Sequence, residues 1–203
     1  MKKILPLTAV FCLTFSIFNS IAAQERFDAN VFAGLNMGQI DGDGAGRYNN
    51  PGIRAGVGTS LDLGGGWRPV LELAYTQKGS FIGDYNRRLS ADYVELAAMI
   101  SYNFFDDRVR VAAGIAPGLL VRAKVTNGGS LDEPSSNNFR RLDRLPVTLA
   151  ARYRFTDHLC FETRWQNSLL GVTKEAGSGT YRIFRSNKGV FHRLVTFGLV
   201  YQF

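Results

Sequence analysis

Val195-Thr196-Phe197-Gly198-Leu199-Val200-Tyr201-Gln202-Phe203 ends the chain, and its residues alternate. Val195, Phe197, Leu199, Tyr201 and Phe203 share one face, while Thr196, Gly198 and Gln202 fall on the other. An extended backbone sends successive side chains to opposite sides, so a period of two predicts a β-strand. From Phe27 onward the same alternation recurs seven more times. The apolar sets are Phe27 to Leu35, Ile53 to Leu61, Pro69 to Tyr75, Val94 to Tyr102, Val109 to Val121, Leu145 to Tyr153 and Leu159 to Trp165, each taken at every second residue, the last resuming at Leu169.

The opposite faces have another chemistry. They carry Asn30, Gly34 and Asn36; Arg54, Gly56 and Gly58; Glu72, Thr76 and Lys78; Glu95, Ser101 and Asn103. Later segments add Arg110, Gly114, Gly118 and Arg122; Arg144, Thr148, Arg152 and Arg154; Glu162, Arg164, Gln166 and Ser168; and His192, Thr196 and Gly198. One apolar face and one charged, glycine-rich face suit either a soluble barrel with its apolar side inward or a membrane barrel with that side toward lipid. Three features favour the membrane. Both signs of charge sit among many glycines, which fits a narrow lumen better than a solvated exterior where glycine only weakens a strand. Aromatics (Trp67, Tyr75, Tyr102, Phe104, Tyr153, Phe155, Tyr201, Phe203) sit at strand ends, as interfacial girdles require. Finally, long connections (Gln39–Pro51, Gly79–Ser90, Thr126–Arg141, Gly171–Gly189) alternate with short ones (Gly64–Gly66, Phe105–Arg108, Thr156–His158), the habit of outer-membrane barrels. The expected fold is all-β: an eight-stranded antiparallel up-and-down transmembrane β-barrel.

The start of the chain predicts export. Lys2 and Lys3 precede an apolar run from Ile4 to Phe18 and the small residues Ser20, Ala22 and Ala23, the order of a secretory signal peptide cleaved after Ala22 or Ala23. The domain plan is then a signal over residues 1–23 and one barrel domain over 24–203. The 203 residues carry a net charge of +7; losing Lys2 and Lys3 leaves 22 basic against 17 acidic residues, or +5. Export removes nucleic acid as a partner for this basic chain. It also removes Cys12, so Cys160 remains as a single thiol with no internal disulfide. Mean hydropathy near zero (−0.07) is what two opposed faces give on averaging.

Short motifs add a resemblance. Gly34-Leu35-Asn36, Leu73-Ala74-Tyr75-Thr76-Gln77-Lys78-Gly79, Tyr93-Val94-Glu95-Leu96, Ala113-Gly114-Ile115-Ala116-Pro117-Gly118 and the closing Phe197 to Phe203 resemble the PorT-like family of small outer-membrane barrels common in Bacteroidetes-type, Gram-negative bacteria. The resemblance covers residues 24–203 and implies an outer-membrane location in the cell envelope. Some members of the family assist protein secretion. The end of the chain, Tyr201 and Phe203, is similar to the carboxy-terminal signal read by the outer-membrane assembly machinery.

Little in the chain looks catalytic. Asp41-Gly42-Asp43-Gly44 lacks the spaced third ligand and closing Glu of a calcium loop, and Gly42, Gly44 and Gly46 precede no helix that could hold a phosphate. No cofactor or metal is expected. His158 falls in a short turn, and His192 near Ser168 and Glu162 could form a hydrolytic set. A polar lumen network is the competing reading, with Glu72, Lys78, Glu95, Arg110, Arg122, Arg152, Arg154, Glu162 and Arg164 pairing inside a barrel just wide enough to be filled. Arg87, Arg88, Arg140, Arg141, Lys174, Arg182, Arg185 and Lys188 sit in the long connections, suited to lipopolysaccharide phosphates or to plain solvation. The expected function is a non-enzymatic surface or scaffold barrel acting in envelope structure, adhesion or secretion assistance. Its alternatives are a membrane-embedded lipid or peptide hydrolase and a soluble periplasmic barrel holding an apolar ligand.

Overall fold

A computed structural model describes residues 27–41, 48–83, 86–132, 138–174 and 190–203. The expected signal (1–23) and the loop residues Asp43, Gly44, Arg182, Arg185 and Lys188 lie outside them. The described residues form strands β1 (Phe27–Asp41), β2 (Asn50–Leu61), β3 (Trp67–Ile82), β4 (Arg87–Phe104), β5 (Val109–Ile115), β6 (Gly118–Asn127), β7 (Ser130–Leu131), β8 (Leu142–Asp143), β9 (Pro146–Arg154), β10 (Leu159–Ser168) and β11 (Phe191–Gln202).

Strands β1 to β5 pair antiparallel each with the next, β5 pairs with β9, β9 with β10 and β10 with β11, and β11 returns to β1 over Asn30↔Gln202 to Asp41↔Phe191. The ring is closed, and among the described residues it has eight staves, because β5 and β6 together make one. Both pair with β4, and the join falls at Ala116-Pro117, where proline has no N–H to give. Backbone bonds bridge the join: the Leu96 N–H donates to the Pro117 carbonyl at 3.0 Å and the Ala116 N–H to the Pro146 carbonyl at 2.9 Å. Below the join β5 pairs with β9; above it β6 pairs with β8. Closure leaves no row of unpaired backbone groups facing lipid, the condition that any spanning sheet must meet.

The apolar face is outside. Leu35, Ile53, Val57, Leu71, Leu73, Leu96, Leu149 and Leu199 are all exposed, while Glu72, Lys78, Glu95 and Arg164 are buried. That distribution is the reverse of a soluble barrel and removes the soluble alternative. At the short-turn end the aromatics meet edge to face: Trp67 with Tyr102 (4.9 Å between centroids), Tyr102 with Phe104 (4.7 Å), Tyr153 with Phe155 (5.2 Å) and Tyr201 with Phe203 (5.3 Å).

One expectation is corrected. The strands run further than their apolar-outward stretches: Gly79–Ser90, expected as a long connection, is mostly the β3–β4 hairpin, paired out to Ile82↔Arg87. The cause is an inversion of polarity. Beyond Val94 the inward residues of β4 are Tyr93, Ala91 and Leu89, all buried, and the outward ones are Asp92, Ser90 and Arg88. A rule that puts apolar residues outside stops reading strand where the pattern changes sign.

Glycines inside the lumen make room for neighbours. Gly56 lies opposite Phe32, and a Cβ on Gly56 would run into the Leu73 carbonyl oxygen and come 2.7 Å from the Phe32 ring and 2.8 Å from the Ala74 Cα. Gly56→Val should therefore destabilise the barrel by about 1–3 kcal/mol through overpacking. The urea midpoint of the refolded barrel should fall accordingly, and an unchanged midpoint would show that β3 itself can shift away from β2.

Candidate functional site

The lumen is filled in layers, each set by which residues the strands turn inward. At the short-turn end Arg68 bonds Asp28 and pairs with Asp62 at 2.6 Å, with Arg110 reaching Asp28 at 3.9 Å. Arg110 also donates from Nε to Asn103 Oδ1 at 2.8 Å.

Midway lies a cluster of three arginines and two glutamates. Glu72 Oε2 accepts from Arg54 Nη2 at 2.8 Å and from Arg164 Nη2 at 2.7 Å, and Glu72 Oε1 accepts from Arg152. Glu162 accepts from Arg152 Nε at 2.6 Å and Arg164 Nε at 2.9 Å, with Arg54 3.7 Å away. Four strands meet here through five side chains: β2, β3 and β9 supply one each and β10 two. The next layer carries the opposite excess. Lys78 Nζ lies 2.7 Å from Glu95 Oε1 and 3.0 Å from Asp143 Oδ2. Thr76 Oγ1 and Gln166 Nε2 donate to Glu95 at 2.8 and 2.7 Å, and Ser168 Oγ donates to Asp143 at 2.7 Å. Formal charge is +1 in the lower cluster and −1 in the upper one, so the two stacked layers cancel.

Above them is an apolar plug. Ile40, Leu89, Ala91, Tyr93, Val125, Phe139 and Val172 pack together, with Leu120, Ala123 and Val190 against them. Tyr93 joins plug to charge: the Lys78 ammonium lies 4.9 Å from its ring centroid, and its hydroxyl is 3.2 Å from His192 Nε2. His192 is fully buried and stacks on Phe139 at 6.3 Å. Ser168 is bound to Asp143 and Glu162 to the arginines, so the hydrolytic set weighed for His192 is not brought together. His158 sits in its short turn, Nδ1 2.9 Å from the Gln202 carbonyl and the ring stacked on Tyr201. The Cys160 thiol is buried and donates to Gln202 Oε1 at 3.4 Å.

Of the nine residues expected in the network, Glu72, Lys78, Glu95, Arg152, Glu162 and Arg164 lie in the two charged layers, and Arg110 lies below them. Arg154 stays at the rim, donating to the Asp107 carbonyl at 2.6 Å. Arg122 is on the outer wall, exposed. Tyr93 pairs with Leu120 and Asp92 with Arg122, so Val121 is an extra residue in β6, and a one-residue bulge turns every later side chain to the opposite face. Arg54 and Asp143 were missed. Arg54 was placed on the polar face with Gly56 and Gly58 but not in the network; at the start of the sixth stretch parity put Arg144 inward, whereas Arg144 is exposed and Asp143 buried, because the sheet is interrupted at Arg144-Leu145 between β8 and β9.

Charges this deep depend on one another. Glu72→Gln leaves three arginines facing one carboxylate and should cost about 3–5 kcal/mol, as breaking buried pairs does. Glu72→Gln with Arg54→Gln restores the balance and should recover part of that loss. Urea titration of both variants in the same detergent reads the difference; equal midpoints for the two would show that charge balance does not hold the layer.

The model of a family described as outer membrane protein beta-barrel domain matches residues 22–173 of this chain. Among solved structures, Ail of Yersinia pestis, in complex with the heparin analogue sucrose octasulfate, superposes with a TM-score of 0.54 at 12% identity, covering 88% of this chain and 99% of that one. Ail alone gives 0.53 at 13% identity with the same coverage. Neisserial surface protein A gives 0.47 at 15% identity, over 87% of this chain and 97% of the other. At these identities the likeness shows the fold alone. No sequence among curated proteins is similar enough to count as a match. With well over half of its length matched, the chain belongs to the outer membrane protein beta-barrel domain family and is an integral outer-membrane barrel.

Proposed function

We propose that this barrel is a non-enzymatic surface or scaffold protein of a Gram-negative envelope, acting through its outer wall and loops rather than through its lumen. The lumen carries the reading. Ion pairs fill its middle, an apolar plug closes the long-loop end, and among the described residues no opening is left for a solute of useful size. His192 has Tyr93 and Phe139 as neighbours instead of a nucleophile. The first and last strands meet at Asn30↔Gln202, so both ends of the barrel chain lie at the short-turn end, which faces the periplasm in this reading. The long connections then face outward, where envelope integrity, surface interaction or assistance to a secretion complex of the PorT-like kind would be served. The partners are outer-membrane lipids including lipopolysaccharide, and during biogenesis the assembly machinery. Tyr201 and Phe203, exposed on the last strand, are the residues that machinery would read, after cleavage of the signal near Ala22 or Ala23.

Heat-modifiability tests the fold in its membrane. Outer-membrane fractions run unboiled on a denaturing gel should show a band displaced from the boiled one, and salt or osmotic shock should release none of it. Identical mobility would count against a folded barrel. His192→Ala should leave phospholipid and lipid A turnover at background while lowering the unfolding temperature. Turnover in the parent chain that vanishes in this variant would overturn the non-enzymatic reading.

A further inference from the structure

The bulge at Val121 does more than misplace one arginine. Three strands above it present a grid of outward residues in register. Gln77, Asp92 and Arg122 form its lowest row; Gly79, Ser90 and Lys124 the next; Phe81, Arg88 and Thr126 the last. Ser90 is small, and Gly79 beside it is buried against the Leu89 carbonyl and the Asn50 side chain and projects nothing outward, so the centre of the grid is a depression. A cleft of about 370 Å³ lies there, lined by Gln77, Arg88, Ser90, Asp92, Arg122, Lys124 and Thr126. Arg88, Arg122 and Lys124 bring three cations to it against the single carboxylate of Asp92. The Arg88 guanidinium lies 5.4 Å from the Phe81 ring, which restrains its stem beside the cleft.

The height of the cleft identifies what it meets. The row directly beneath the grid is Tyr75, Val94 and Leu119, and Val121 beside it is exposed, all continuous with the lipid-facing belt. Asp92 is two residues beyond Val94, about 7 Å along the strand. At a strand tilt of about 45° that is about 5 Å of height, within the polar layer of about 5–8 Å that covers each side of the hydrocarbon. A cation at that depth, on a wall that lipid touches, faces headgroups rather than bulk water.

We propose that this wall of β3, β4 and β6 is a docking site for a phosphorylated lipid of the outer leaflet, of lipid A type. Arg88, Arg122 and Lys124 contact its phosphates, Ser90, Thr126 and Gln77 supply hydrogen bonds, and the acyl chains lie down the Val94–Leu119 belt. The assignment rests on the membrane orientation proposed above. It differs from the loop arginines in being built on paired strands and so being held before the lipid arrives.

The full-length barrel, refolded in neutral detergent, is titrated with bisphosphorylated lipid A, with the same lipid stripped of both phosphates, and with inorganic phosphate, reading the unfolding temperature and the bound lipid. Bisphosphorylated lipid A should stabilise the parent chain, and the dephosphorylated lipid should bind at least about tenfold more weakly. The triple variant Arg88→Gln, Arg122→Gln, Lys124→Gln should lose that preference while keeping heat-modifiable mobility, and Asp92→Asn should bind more tightly. Arg108→Gln, exposed in a short turn at the opposite end of the barrel, should bind as the parent does. Parent-like affinity in the triple variant, or equal binding of both lipids, overturns the site. Equal stabilisation by inorganic phosphate overturns the lipid assignment in favour of a free-anion site. A parent chain without heat-modifiable mobility would instead fail the membrane reading, and is recognised before any lipid is added.

Discussion

The pairing of β11 with β1 is the contact on which the remaining architecture depends. Twelve register pairs join the first and last staves, so the ring closes only when the chain is complete to its last strand. In hydrocarbon an open edge would leave a row of unsatisfied N–H and C=O groups, each costing several kcal/mol. Closure with eight staves also sets the bore, and a bore of this size has room for side chains and little else. The inward residues are thereby compelled to fill the space themselves.

How they fill it follows from electrostatics in a poorly solvated interior. A lone buried charge is costly, and a pair is tolerated only with good geometry and satisfied hydrogen-bonding groups. Here Glu72 and Glu162 are shared among three arginines, and Glu95 and Asp143 share one lysine. Neither layer is neutral, but they are stacked and opposite. That couples staves far apart in sequence: Glu72 on β3 and Arg164 on β10 are 92 residues apart. The network therefore enforces register around the ring, which backbone pairing between neighbours cannot do alone.

The eight staves were legible because lipid outside and charge inside give each strand two unlike faces, and parity is then the whole code. The same rule placed Glu72, Glu95, Arg152, Glu162 and Arg164 inward. It failed where its premise failed. Above Tyr93 the barrel has left the hydrocarbon and reverts to the soluble convention, with Leu89, Ala91 and Val125 inside and Arg88, Ser90 and Lys124 outside. Hydropathy alone reads that reversal as the end of a strand. Arg122 failed for another reason: the extra residue Val121 changes the phase, and nothing in the residues Leu119 to Lys124 announces a bulge. Asp143 belongs to a two-residue strand too short for any period.

The reversal also locates the membrane on the molecule. The continuous outward apolar run ends at Val94, Leu119 and Val121 on this side, with Phe81 alone above it in the polar grid, and the short-turn aromatics Trp67, Tyr102 and Phe104 stand at the other end of the same staves. From Val94 to Tyr102 is eight residues, about 27 Å of strand. Tilted by about 45°, that is about 19 Å of height, less than a typical hydrocarbon layer of about 30 Å. A short belt is consistent with the outer membrane, which is thinner than average, and it draws lipid headgroups inward along the wall. The first polar row above the belt begins one step beyond Val94, and the bulge at Val121 is what turned Arg122 outward into that row.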